Sequence, residues 1–334
     1  MEMMKKYKAA VLGMGNMGRA HAGSMLKMED VELTALCSCP KDDAEKYASE
    51  HGITCNIYDD GFEMIEQEDL DLLYICLPPF AHQGQLEAAA KKGIHVFIEK
   101  PIALDVARGE SMVRAVRENQ VHSQVGYQMR FGGAVRRFKE MIENGTAGRP
   151  TLYTANYECN SLHSPWWRDA EKCGGQVFEQ VIHLYDMSLY LMGQPKEVSG
   201  FVANMCHQDV EGYTIEDTSI SNIVFESGAL GSISGSNCAV KNQWNGRFRI
   251  VCEKMVAEFT DQNHAVFIYT DGEEPRTEEV VTDDDVTFME DCYFLGTIKG
   301  ENPPFADIEA GFTGLKMVAG VVASSKGNGR IIEI

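Results

Sequence analysis

Three glycines, Gly13, Gly15 and Gly18, entered from the apolar run Ala9-Ala10-Val11-Leu12, constrain this chain more than any other stretch. A strand that ends in GxGxxG and passes straight into a helix suits a dinucleotide. The first glycine permits a tight turn, the second lets the backbone approach a pyrophosphate with no side chain in the way, and the third lets helix and strand pack closely. Phosphate would then rest on the N–H groups of the helix N-terminus, where the partial positive charge lies. Glycine makes up 31 of 334 residues, so the spacing alone also arises in ordinary turns. Its place at a strand-to-helix junction near the start of the chain favours the dinucleotide reading. Lys5, Lys6 and Lys8 are not expected to open an export leader, because the apolar run that follows is short and broken by glycines.

The alternation continues beyond the glycines. Helix is expected over 16–27 and strand over 31–37; strand 53–57 leads to a helix ending at Gln67, and strand 71–77 to a helix over 81–92. Strands follow at 95–98 and 121–125. Leu72-Leu73-Tyr74-Ile75-Cys76-Leu77 has the unbroken apolar character of a strand buried on both faces, and Pro78 and Pro79 end it. Such a pattern implies an α/β doubly wound parallel sheet, with its ligand crevice at the carboxyl ends of the strands. Lys100 stands at one such end, and Pro101 biases it toward extended geometry, which would aim its ammonium into the crevice. The end of the second strand bears on the cofactor. A carboxylate there usually holds the ribose hydroxyls. Here the position is Ser38, followed by Cys39, Pro40 and Lys41, and a hydroxyl and a lysine suit a 2′-phosphate. NADP is therefore expected ahead of NAD.

The second half changes character. Segments 150–158, 197–204, 218–225, 229–237, 247–252 and 264–269 alternate in polarity with turn signals between them, which suggests a mostly antiparallel sheet in an α+β domain. A helix over 175–192 interrupts them, and two more, over 286–298 and 307–324, come near the end. The acidic run 271–285 reads as a solvated loop. The chain is thus expected to divide into a dinucleotide-binding domain over 1–126 and an α+β domain for substrate and oligomer contacts over 127–334.

A formal net charge of −20 disfavours a nucleic-acid partner, whose backbone is gripped by clustered Lys and Arg. No apolar run approaches the roughly 20 residues that a membrane helix needs. A soluble, cytoplasmic protein is expected. Its ten cysteines include no CxxC pair, so free thiols are expected rather than a zinc or disulfide frame.

Within 175–192, Glu179, His183, Asp186 and Tyr190 recur at helical spacing on one face, with Phe178, Val181, Ile182, Tyr185 and Leu189 offered to a core. Alone, the polar stripe reads as solvated surface or a structural hydrogen-bond set. Histidine nevertheless titrates near neutrality, and a carboxylate one turn before it would orient the ring. Glu179 and His183 lack an evident third ligand, so no metal is expected. Just upstream, Trp166 and Trp167 would either stack on sugar C–H edges or close a small core, and Arg168 would grip a carboxylate or phosphate. Tyr127 and Arg130 are further candidates for the substrate pocket.

Taken in order, Gly13-Met14-Gly15-Asn16-Met17-Gly18, Leu77-Pro78-Pro79 with His82, Glu99-Lys100-Pro101, Val125-Gly126-Tyr127-Gln128-Met129-Arg130-Phe131, and Gly174-Gly175 leading to His183-Leu184-Tyr185-Asp186 resemble the glucose-fructose oxidoreductase, inositol dehydrogenase and rhizopine catabolism (Gfo/Idh/MocA) family. The likeness runs through nearly the whole chain. It implies an N-terminal Rossmann domain, a C-terminal α+β domain with a large open sheet used in oligomer contacts, and NAD(P)-dependent oxidation or reduction of sugars and polyols. It places Gly13, Gly15, Asn16, Met17, Gly18, Leu77, Pro78, His82, Glu99 and Lys100 on the cofactor, alongside Ser38 and Lys41. Lys100 matches the active-site lysine and His183 the catalytic histidine. Glu179 stands where the family usually has aspartate, and Pro79 where it usually has asparagine. The mechanism expected is that His183 takes the hydroxyl proton as a hydride leaves the same carbon, while Lys100 polarises the oxygen. A homodimer or homotetramer is implied. A dinucleotide-binding sensor and a double-bond reductase on the same fold are the alternatives.

Overall fold

The computed structural model describes residues 6–334, which form two compact units. The first takes in the described residues to Ala103, then Ala107–Gly126 and Thr287–Phe312. Six strands, β1 (Tyr7–Leu12), β2 (Val31–Cys37), β3 (Asn56–Tyr58), β4 (Leu72–Ile75), β5 (His95–Ile98) and β6 (Ser123–Val125), form an all-parallel sheet in the order 3-2-1-4-5-6. That order reverses between β1 and β4, which opens a crevice at their carboxyl ends. Helices Asn16–Met25, Asp42–His51, Gly61–Gln67, Gln85–Lys91 and Val106–Asn119 supply the crossovers. The helix expected over 81–92 is broken: a short 3-10 turn, Pro79–Ala81, comes first, and Gly84 at φ +125° separates it from the helix proper.

Apolar burial drives this layer. Val11, Leu36, Tyr74 and Phe97 are buried on the sheet, and Phe294 and Leu295 from near the end of the chain join the same cluster. Burying each such side chain contributes about 1.5–3 kcal/mol. The division expected at residue 126 therefore meets a first unit that also claims residues 287–312.

The second unit holds a nine-stranded sheet in the order 14-13-12-11-7-10-9-8-15. Its strands are β7 (Pro150–Cys159), β8 (Pro195–Ala203), β9 (Thr218–Phe225), β10 (Leu230–Ser236), β11 (Trp244–Cys252), β12 (Met255–Phe259), β13 (His264–Tyr269), β14 (Arg276–Val281) and β15 (Ile332–Glu333). Every pairing is antiparallel except β7 with β10. The acidic run expected as a loop contains β14, an edge strand whose Glu278 accepts from the Tyr269 hydroxyl at 2.8 Å. Charge on an edge strand guards against stray pairing, and that charge hides the strand in the sequence.

One helix, Ile182–Met192, packs on the sheet and is buried almost throughout. Of the two readings left open for its polar stripe, solvated surface or structural hydrogen-bond set, Asp186 takes the second: it is 1% exposed and bonded to Arg130. Just before it, Val177–Val181 forms a π-helical turn. Such turns are rare and concentrate at functional sites.

Candidate active site

In the first unit, β1 delivers the chain to Gly13, whose φ of +100° and crowding against the Cys76 carbonyl admit no side chain. A Cβ on Gly18 would meet the Gly13 carbonyl oxygen at 1.8 Å, which is why helix and turn can touch. Gly15 differs, because a Cβ there would meet nothing within 4 Å. It is the N-cap of helix Asn16–Met25, no side chain caps that end, and no acidic residue stands in its first turn. Bare backbone N–H groups at a helix start form a cradle for phosphate. These residues fit a dinucleotide.

Around the end of β2, the Ser38 hydroxyl donates to the Pro40 carbonyl at 2.7 Å and accepts the Ala44 N–H at 3.1 Å. It closes the turn into the next helix, so the hydroxyl expected to meet a cofactor is already taken up locally. Lys41 approaches Asp59 at 3.6 Å.

Lys100 is positioned from both sides. Before it, Glu99 is buried, its Oε2 accepts the Lys100 backbone N–H at 3.2 Å, and its Oε1 meets His21 Nε2 at 3.1 Å. A Cβ on Gly126 would lie 2.7 Å from Glu99 Oε1, so glycine there makes room for the carboxylate. His21 Nδ1 meets Asp291 Oδ1 at 2.8 Å, with the imidazole fully buried between the two acids. Burial opposes its charge, but Asp291 and Glu99 outweigh that and push the ring up to about 10. After Lys100, the His82 ring lies between the carbonyls of Ile102 at 2.8 Å and Leu77 at 3.1 Å, its N–H donated to one of them, beside both the segment past Pro101 and the turn that ends β4. Burial pushes the His82 ring below its ordinary value. Glu99 and His82, expected on the cofactor, thus hold the chain on either side of Lys100.

In the second unit, Gly174 and Gly175 have φ of +81° and +117° and lead into the π turn. Glu216 explains the second of them: its Oε2 would lie 2.3 Å from a Cβ on Gly175, while its Oε1 accepts the Val177 N–H at 2.7 Å. This carboxyl caps the start of the helix that carries Glu179 and His183. Burial pushes it up to about 7. His183, 9% exposed, stands edge-on to Tyr127 with ring centroids 6.3 Å apart.

Trp167 is 2% exposed and packs with Cys173, Tyr213 and Ile215, with Trp166 partly buried against them. Of the two uses expected for this pair, core closure is what the structure displays. The Trp167 indole N–H donates to Glu179 Oε2 at 2.7 Å. Arg130, expected to face a substrate, forms a buried two-pronged pair with Asp186 at 2.9 and 2.6 Å, and Tyr127 is fully enclosed. Both support the His183 helix rather than offer free polar groups. Arg168, on the short turn Pro165–Arg168, differs: its Nε is buried and makes no hydrogen bond among the described residues.

The sequence reading missed Glu216, His21 and Asp291. No spacing pattern marks them, because each acts on a partner between 39 and 270 positions away. Gly175, which Glu216 crowds, is a local trace of that carboxyl.

Comparison with known proteins identifies the family of both units. Residues 7–127 match the model of an oxidoreductase family with an NAD-binding Rossmann fold, and residues 135–258 match the GFO/IDH/MocA C-terminal domain. A myo-inositol 2-dehydrogenase of Thermotoga maritima is 29% identical over 234 residues, covering 70% of this chain and 69% of its own. An NAD(+)-dependent scyllo-inositol 2-dehydrogenase of Bacillus subtilis is 30% identical over 236 residues, 70% of this chain and 68% of its own. A solved levoglucosan dehydrogenase in complex with NADH and L-sorbose shares the fold at a TM-score of 0.90, with 19% identity over 99% of both chains.

Proposed function

The chain belongs to the Gfo/Idh/MocA oxidoreductases, and from that premise we propose that it is an NAD(P)-dependent dehydrogenase that moves a hydride between the nicotinamide and a hydroxyl-bearing carbon of a sugar, sugar derivative or cyclic polyol. The observation that carries the reading is the uncapped helix start behind Gly15, on the same parallel sheet that presents Lys100 at the end of β5. The nicotinamide supplies the hydride acceptor. Gly13, Gly15, Asn16, Met17 and Gly18 would hold the pyrophosphate, and Leu77 and Pro78 line the neighbouring strand end. Lys100 donates to the substrate oxygen and polarises it. His183 takes the hydroxyl proton, and in the reverse direction returns it. Glu179 is a positioning residue, held by Trp167, that favours the charged imidazole. Rate comes from orientation and from charge placed before the reaction begins.

NADP is the cofactor we propose, because Ser38 and Lys41 replace the carboxylate that would hold ribose hydroxyls and would repel a 2′-phosphate. Arg168 is the substrate-facing cation of this reading. A sugar acid or phosphorylated sugar would satisfy its buried Nε. A cytoplasmic homodimer or homotetramer completes the proposal.

The test is a fluorescence titration with NADPH and NADH, followed by the oxidised complex with inositols, hexoses, glycosides and sugar acids. Binding and reduction by a panel member supports the reading; failure to bind either cofactor overturns it. Lys100→Ala and His183→Ala should each abolish turnover while cofactor still binds. An active double variant would overturn the roles given to them.

A further inference from the structure

Two thiols meet at one end of the nine-stranded sheet. Cys206 follows β8 and is exposed; Cys238 follows β10 and is half-buried. Their sulfurs and a carboxylate oxygen of Asp217 lie within 4.8 Å of one another, and the two thiols share a hydrogen bond. A soft metal would need Asp217 as its third ligand. That carboxylate is already saturated: Oδ1 accepts from the Met205 N–H at 2.8 Å and the Thr218 hydroxyl at 3.0 Å, and Oδ2 from the N–H of Cys206 at 2.7 Å, the N–H of His207 at 3.1 Å and the His207 ring at 2.9 Å. A carboxylate offers about four lone-pair sites, so none is left for a metal. Two thiolates alone fall short of zinc's four-ligand shell. What remains is a dithiol.

We propose that Cys206 and Cys238 form a reversible redox pair that closes to a disulfide on exposure to a hydroperoxide. The exposed Cys206 thiolate attacks the peroxide, the O–O bond breaks, the sulfur is oxidised to the sulfenic acid, and the other oxygen leaves as hydroxide or alkoxide. Cys238 then attacks that sulfur. The S–S bond forms, the S–O bond breaks, and the thiol proton departs with the oxygen as water. The order follows from access. Burial, the bond with Cys206 and the Asp217 charge push the Cys238 thiol up to about 12, so it waits as a thiol until an acceptor sulfur stands beside it. Closure takes the two sulfurs from within 4.8 Å of each other to about 2.05 Å.

The movement has somewhere to go. Asn237, beside Cys238 and fully buried, accepts the Ser161 N–H at 3.0 Å and donates to the Ser161 carbonyl at 2.9 Å and the Tyr213 hydroxyl at 3.1 Å. Ser161 opens the loop that carries Trp167, and Trp167 holds Glu179. Closure therefore bears on the proposed catalytic helix, a consequence that rests on the dehydrogenase reading, whereas the redox pair itself does not.

The full chain, reduced and freed of metal, is treated with hydrogen peroxide, digested without reduction and mapped by mass spectrometry. The expected product is a peptide pair joined through Cys206 and Cys238, reversed by dithiothreitol and absent in Cys206→Ser. Cys238→Ser should stop at a Cys206 sulfenic acid that dimedone traps. Overoxidation of Cys206 in the parent chain with Cys238 untouched would overturn the proposal. So would zinc that binds one per chain and shields both thiols from alkylation. Turnover with the best panel substrate is then compared before and after closure: a fall that dithiothreitol restores, and that Cys206→Ser does not show, supports the coupling. Cross-linking with unchanged turnover retains the redox pair and overturns its link to the loop.

Discussion

The indole N–H of Trp167 donates to Glu179 Oε2 at 2.7 Å, so a tryptophan buried in a small core sets the direction of a carboxylate one turn before His183. Trp167→Phe keeps most of the packing and removes that bond. A hydrogen bond to a charged group contributes about 1.5–3 kcal/mol, which corresponds to roughly a ten- to hundredfold change if all of it is expressed in the reaction. The expected outcome is a fall in kcat of that order, a shift in the pH–rate profile and unchanged cofactor binding. A kcat and pH profile equal to the parent's would show that Glu179 needs no such support.

Glu216 titrates inside the working range. Its folded carboxyl sits at about 7, against an ordinary 4.5, because it is buried. Between those values the folded chain binds a proton that the unfolded chain does not, so the contribution to stability is complete below 4.5 and is lost as pH rises through 7. The loss is on the order of 3 kcal/mol. Glu216→Gln should flatten that slope in urea unfolding compared at about pH 5 and about pH 8. If parent and variant lose stability in parallel, the carboxyl is not the titrating group.

His21 carries positive charge between Glu99 and Asp291, and its removal leaves two buried carboxylates facing each other. His21→Leu should cost about 3–5 kcal/mol, the usual penalty for breaking a buried ion pair. Because the ring is raised to about 10, its contribution is complete below the ordinary 6.5 and fades as pH climbs toward 10. Chemical denaturation at neutral pH measures the first, and a pH series the second. A loss under about 1 kcal/mol would mean that the acids are neutral in the fold.

Cofactor choice is tested at the end of β2. Ser38→Asp places a carboxylate where ribose hydroxyls would be held and should lower the NADPH to NADH affinity ratio by about tenfold or more. Since Ser38 also closes the turn to Ala44, aspartate can keep the same N–H as its acceptor role requires. An unchanged ratio would place the selection elsewhere.

What the sequence revealed follows from how local each signal is. GxGxxG, the β4 run and the alternating strands of the second unit are written in adjacent residues, and the structure contains each of them. The acidic edge strand β14 was masked by its own charge. The π turn at Val177–Val181 left the spacing of Glu179 and His183 intact while changing their backbone, so periodicity carried no sign of it. The Arg130–Asp186 pair spans 56 positions and needs the fold before its two ends can be matched. The polar stripe of the His183 helix left solvent and structural hydrogen bonds both open for the same reason: the Arg130 that Asp186 pairs with lies on another element.

Thr287–Phe312 completes the first unit, and Phe294 covers apolar side chains that begin at Ala9. On a ribosome, the completed cluster must therefore wait for helix Val286–Ile298 while the strands from β7 to β14 are made. At about 5–20 residues per second that interval is roughly ten to thirty seconds. The sheet of the second unit, encoded later, has almost all its strands in hand before the first unit can close. Through that interval the apolar cluster from Ala9 to Phe97 lacks the Phe294 and Leu295 side chains that complete it.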